Sequence, residues 1–169
     1  SVSIVGESRE HCIVMGGLKM YGKKEEDVNV SNLTLRGSKS YGVCGWNGVY
    51  GVQYASVHLD NVSVENSGWF GVGVTGKRNT MKNCNVSHST RSGLCVWDGG
   101  LMTIDGNGTT IHHNCTRGDT GDYGLDTWRN KSSSWTPGEI HLASPLTKET
   151  ISTNNGGGGN HGGSGTIKT

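Results

Sequence analysis

The chain is poor in the residues that usually build a globular core. Its 169 residues include one Phe and two Pro, and hydrophobic types make up only 31%. A thick core of large side chains is excluded, but a thin core repeated along an axis is not. Net charge is also scarce: 15 Lys and Arg against 14 Asp and Glu leave a formal +1. With the cations scattered, there is no basic stripe to favour a nucleic-acid partner. No apolar run approaches the roughly 20 residues that span a bilayer as a helix, so membrane insertion is not expected. Five cysteines, Cys12, Cys44, Cys84, Cys95 and Cys115, match no paired zinc or redox spacing, and their odd number leaves at least one thiol unpaired within the chain. Neither a cofactor nor a metal centre is expected. No leader is visible and the first residue is Ser1, which reads as a processed protein or a segment of a longer one.

What the chain does have is glycine, 29 in all, and a repeat. Asn32-Leu-Thr-Leu35 followed by Tyr41-Gly-Val-Cys-Gly-Trp46 returns as Asn61-Val-Ser-Val64 followed by Phe70-Gly-Val-Gly-Val-Thr75. The pattern continues through Asn85-Val-Ser-His88 with Ser92-Gly-Leu-Cys-Val-Trp97, and through Thr110-Ile-His-His113 with Tyr123-Gly-Leu-Asp-Thr-Trp128. Thr150-Ile-Ser-Thr153 with Ser164-Gly-Thr-Ile-Lys-Thr169 is a degenerate fifth copy. Side chains alternate faces along a strand. The expected inward positions of the first strand are then Leu33/Leu35, Val62/Val64, Val86/His88, Ile111/His113 and Ile151/Thr153. Those of the second are Val43/Gly45, Val72/Val74, Leu94/Val96, Leu125/Thr127 and Ile167/Thr169. A third apolar segment precedes the first strand in the earlier copies: Val28/Val30, Val57/Leu59 and Met81/Asn83. Strands without helices at a recurring period predict an all-β solenoid, with three short strands per coil and about six coils. Spacing between copies varies, and the longer copies carry Gly, Asn, Asp and Ser in the segments expected to be loops, including residues 154–163.

These coils, together with Ile104-Asp-Gly-Asn-Gly-Thr-Thr-Ile-His-His-Asn114, resemble the pectate-lyase-like superfamily of right-handed parallel β-helices. The resemblance covers nearly the whole chain. It implies a single right-handed parallel β-helix over residues 1–169 with three parallel sheets and no substantial helix. It does not imply one activity, because this scaffold hosts lyases, hydrolases, epimerases and non-catalytic surface proteins.

The expected outward stripe of the second strand reads Trp46, Thr75, Trp97 and Trp128. Exposed indoles make Trp46, Trp97 and Trp128 candidates for glycan binding. The same stripe also fits an aromatic ladder between coils or a face covered by another subunit. Beside it, Asp98 is expected to align with Arg129, and Asp126 with Lys168, as weak catalytic candidates for a lyase-type reaction. Opposite charges stacked on an exposed ladder of strands serve stability equally well. The acidic residues fall on different repeat positions and no Asp-Pro-His or Asp-x-Asp signature occurs, so enzymatic activity is the less favoured reading. His88 and His113 are read as an inward polar stack rather than ligands.

Seven sequons, at Asn29, Asn32, Asn61, Asn85, Asn107, Asn114 and Asn130, are candidate N-glycosylation sites. Asn32, Asn61 and Asn85 share one repeat position in this alignment and equally fit a ladder of turn asparagines. Strand-like sequence at both ends points to a larger assembly, either a longer chain or copies packed end to end or laterally. The expected function is a non-catalytic structural or adhesive module of an extracellular, cell-surface or filamentous assembly, glycosylated. The alternative is a carbohydrate-active protein, lyase- or epimerase-like or glycan-binding, directed at an acidic polysaccharide.

Overall fold

The computed structural model describes residues 1–23, 25–45, 55–128 and 136–169. Within them the chain passes repeatedly through three directions, each time laying a short strand parallel to the one before. The first face holds β1 (Val2–Val5), the leading half of β4 (Asp27–Gly37), the leading half of β6 (Ser56–Glu65), β8 (Asn79–Lys82), β11 (Leu101–Asp105), β14 (Glu139–Leu142) and β17 (Thr166–Lys168). The second holds β2 (Ile13–Gly16), the trailing halves of β4 and β6, β9 (Asn85–Ser87), β12 (Thr110–His112) and β15 (Ser152–Thr153). The third holds β3 (Leu18–Lys19), β5 (Val43–Gly45), β7 (Val72–Val74), β10 (Leu94–Val96), β13 (Leu125–Thr127) and β16 (His161–Gly163). Continuous β4 and β6 join the first two faces into one 11-stranded sheet, and the third is a 6-stranded sheet. The architecture is the expected parallel β-helix. Its one described helix is a single turn, α1 (Lys148–Ile151), capped by Thr147.

The core is a set of columns. Val43, Val72, Leu94 and Leu125 stack in register on the third face, and Leu35, Val64, Val86 and Ile111 stack on the second. Leu59, Met81, Ile104 and Leu142 do so on the first. All of these are buried in one continuous cluster. Each coil alone would leave its apolar residues open; only the next coil covers them.

Two corners of the coil depend on backbone conformation. Between the first two faces the chain bends at Asn32, Asn61 and Asn83, with φ of 56°, 55° and 50°. Asparagine tolerates this left-handed region better than most residues. The Asn61 Nδ2 donates to Asn32 Oδ1 at 2.9 Å, so the bend is laddered as well. Before the third face sits a glycine in the first five coils, Gly17, Gly42, Gly71, Gly93 and Gly124, with Asn160 at that position in the last described coil. A Cβ on Gly93 would lie 2.6 Å from Ile111 Cγ2 and 2.9 Å from the Gly124 carbonyl oxygen of the next coil. The Tyr/Phe/Ser-Gly-Val/Leu motif of the repeat is therefore a packing requirement.

Several expected alignments are corrected by this geometry. The third member of the asparagine ladder is Asn83, not Asn85, because Asp60 pairs with Lys82 and Ser63 with Asn85. Val86 accordingly follows Val64 rather than Val62, and the first face turns Asn79 and Met81 inward. His88 and His113 are exposed, not inward: each takes a left-handed conformation (φ 58° and 54°) just past its strand, which turns the side chain outside. In the last coil Ser152, not Ile151, continues the Ile111 column. The glycine-rich stretch expected to be a loop supplies β16, so Leu125 pairs with His161, and Ile167 pairs with Ile140 on the first face.

Gly93→Ala tests the corner. Overpacking there is expected to cost about 1–3 kcal/mol in chemical unfolding. Gly121→Ala, at a glycine whose added Cβ meets nothing within 4 Å, is expected to change stability by less than about 0.5 kcal/mol.

Candidate functional site

The outward side of the third face is not an open platform. Trp97 is only 6% exposed, its ring lies over Gly73, and it packs with Phe70 and Cys95, with Tyr41 and Trp128 against them. Ring centroids are 5.7 Å apart for Tyr41–Phe70 and 6.0 Å for Phe70–Trp97. The Arg91 guanidinium sits 4.6 Å from the Trp69 centroid and 5.2 Å from that of Phe70. This cluster is a second, smaller core outside the solenoid, so the indole face of Trp97 is not offered to a sugar, and Trp128 is half-buried beside it. Trp46 lies outside the described residues.

Beneath the rings lies a polar group that the sequence did not flag as a unit. Asp122 is ion-paired with Arg91 at 3.0 Å. The Ser92 hydroxyl donates to Asp126 Oδ2 at 2.8 Å and lies 3.5 Å from Asp122 Oδ1. Asp126 is 1% exposed, and among the described residues its Oδ1 has no hydrogen-bond partner. Burial, opposed by the Ser92 hydrogen bond, pushes its pKa up to about 7. Burial likewise holds the Cys95 thiol well above its ordinary value and raises Cys84 to about 11 and Cys115 to about 12. These thiols stay protonated at neutral pH, which argues against a nucleophilic role.

The remaining weak catalytic candidates do not gather around Asp126. Lys168 lies on the first face, where its Nζ meets Glu139 Oε2 at 3.1 Å; Asp126 instead pairs with Gly162. Asp98 lies in the turn after β10, with φ 53°, rather than on the sheet. Arg129 is outside the described residues. Among the described residues, Asp98, Asp126 and Lys168 do not converge on one exposed point.

The outward side of the second face is different. Ile13, Thr34, Ser63, Asn85 and Thr110 follow one another in register, one from each of five coils. Thr110 Oγ1 donates to Asn85 Oδ1 at 3.0 Å, and Asn85 Nδ2 to Ser63 Oγ at 3.0 Å. Ser63 Oγ donates to Glu65 Oε1 at 2.8 Å, and Arg36 Nε to Glu65 Oε2 at 2.8 Å. Arg9, Glu10 and Gly108, the first and last of them hydrogen-bonded to Asn83, line with this row a groove of about 400 Å³. The signal for it was in the sequence as small polar residues at outward strand positions, but only the true register aligns them.

The sequons fall into three groups. Asn29 and Asn107 are exposed. Asn32, Asn61 and Asn85 are half-buried in side-chain hydrogen bonds. Asn114 is corrected as an acceptor: it is 1% exposed, and its Nδ2 donates to Val86 O and Asn155 Oδ1, both at 3.0 Å. Asn130 lies outside the described residues.

Asp126 gives a pH test. A folded-state pKa above that of the unfolded chain stabilises most when the acid is protonated, and the benefit is lost as pH rises through about 7. Asp126→Asn, which mimics the protonated acid, is expected to raise the melting temperature at pH 8 and to give no gain at pH 4. An equal effect at both values contradicts the assignment.

Against known proteins, the family model for the right-handed beta helix region matches residues 16–161. Neither the search of curated proteins nor that of solved structures returns a match. Winding, register and family match agree: the chain belongs to the right-handed beta-helix family.

Proposed function

We propose that this protein is a non-catalytic adhesive β-helix module that holds an extended acidic polysaccharide along its second face. The observation that carries this reading is the groove: Thr34 and Ser63 are buried in its floor, while Asn85, Thr110, Arg9 and the Arg36–Glu65 pair are its accessible side chains. Strands repeat at about 4.8 Å, so five coils span about 19 Å. That repeat is comparable to one pyranose unit of an extended chain, which lets successive sugars meet equivalent side chains. Hydroxyl and amide groups suit sugar hydroxyls, and Arg9 and Arg36 supply guanidinium groups that match carboxylates. An extracellular setting fits this reading, and the exposed sequons Asn29 and Asn107 are compatible with it. Polygalacturonate or alginate is expected to retard the protein in affinity electrophoresis, with Arg9→Glu/Arg36→Glu weakening retention at least tenfold. No ultraviolet-absorbing unsaturated product should form. Unchanged retention in the double variant, or product formation, overturns the proposal.

One further observation favours self-assembly alongside binding. In the first coil Val2, Val5 and Met15 are 60%, 67% and 73% exposed, with Ile13 and Val14 beside them. Exposed apolar residues on a strand are what another β-surface covers. The proposed partner is a second copy of this chain, a contact that propagates if it joins unlike surfaces. Sedimentation is expected to show concentration-dependent association, abolished by Val5→Lys/Met15→Lys. A wild-type chain that stays monomeric at high concentration contradicts it.

A further inference from the structure

His112 and His113 are consecutive, and their rings stand nearly perpendicular (89°) with centroids 5.0 Å apart. Their two Nδ1 atoms are 2.8 Å from one another. His112 Nε2 lies 2.8 Å from Asn85 Oδ1, which can only accept, so the hydrogen of neutral His112 is on Nε2. The Nδ1 of His112 therefore carries a lone pair pointing at the Nδ1 of His113. His88 stacks on His113 from the neighbouring coil, centroids 5.5 Å apart and planes within 9°.

We propose that the Nδ1 atoms of His112 and His113 form a two-nitrogen chelate for a divalent transition metal of tetragonal preference, Ni(II) or Cu(II). Metal–imidazole bonds are about 2.0–2.1 Å, so two nitrogens at a right angle sit about 2.9 Å apart, and at the tetrahedral angle about 3.3 Å. The observed 2.8 Å separation matches the right angle. The two nitrogens now share an N–H···N hydrogen bond; turning the exposed His113 ring, with a tilt of His112 about its Asn85 contact, breaks that bond and points both lone pairs at one ion. On binding, the proton on His113 Nδ1 moves through solvent to its Nε2, so both rings remain neutral. Asn85 anchors the far nitrogen of His112, the arrangement by which metal-bound imidazoles are commonly oriented.

Among the described residues no set of three or more His, Cys, Asp or Glu side chains is arranged to hold a metal ion. The site is accordingly bidentate, and its other coordination positions are left to water or to an oxygen ligand. The chemistry does not depend on the polysaccharide reading, although Asn85 belongs to both surfaces.

The test is calorimetric titration with Ni(II) alone, a metal that the chain's thiols do not reduce, alongside the visible spectrum of the bound ion. One site is expected, with at least a tenfold loss of affinity in His112→Ala and in His113→Ala. Asn85→Ala is expected to lose about tenfold through the lost anchor. His88→Ala should stay within about threefold of the parent, since that ring is stacked on the chelate and is not one of its donors. Zn(II) should bind more weakly than Ni(II). Circular dichroism checks that each variant is folded. Undiminished Ni(II) affinity in the folded His112→Ala/His113→Ala variant overturns the proposal, as does tighter binding of Zn(II).

Discussion

Parallel strands hydrogen-bond at about 4.8 Å, and in this chain every position of a coil must accept its counterpart at that distance. The constraint is met differently at each place. On the flat faces Val, Leu, Ile and Met stack in columns and fill a narrow core. At one bend asparagine adopts a left-handed conformation and hydrogen-bonds to the asparagine of the next coil. At the corner before the third face no side chain fits in the first five coils, and glycine recurs. The unusual composition follows from these requirements: many glycines, few aromatics and small β-branched residues are what a stacked coil of narrow cross-section can hold.

The same spacing organises the outer surfaces. On the third face the outward residues Cys44, Gly73, Cys95, Asp126 and Gly162 occupy one row of the sheet. Aromatic rings fold over Gly73 and Cys95 of that row, and Asp126 beside them is buried, a carboxyl whose ionisation opposes folding. On the second face Thr34 and Ser63 are buried, Asn85 and Thr110 remain accessible, and Ser63, Asn85, Thr110 and His112 form a connected set of hydrogen bonds. A closed aromatic face and a grooved polar face therefore share one scaffold, and the proposed ligand is assigned to the groove.

Much of this was legible in the sequence, and the failures have physical causes. The inward Val72, Leu94, Leu125 and Ile111 columns were readable because strict alternation survives wherever a strand is flat. Matching Asn-Val-Ser of residues 61–63 to Asn-Val-Ser of residues 85–87 misplaced β9. The bend selects the residue that takes positive φ, which is Asn83, and not the tripeptide. His88 and His113 were assigned by alternation beyond the point where the strand ends; one left-handed residue reverses the face. Glycines 162 and 163 look like loop residues, yet they form a strand because the Tyr123 ring occupies the space a Cβ on Gly162 would need. The indoles at the outward positions were recognisable, but that they would pack on one another depended on Gly73 leaving room for Trp97.

The two outer faces differ in whether a ligand can reach them. Backbone amide shifts followed by NMR during titration with an oligogalacturonate measure this directly. The account predicts perturbations concentrated at Thr34, Ser63, Asn85 and Thr110, with Phe70, Cys95 and Trp97 unmoved. Shifts centred on Trp97 and Trp128, with the second face silent, would contradict it.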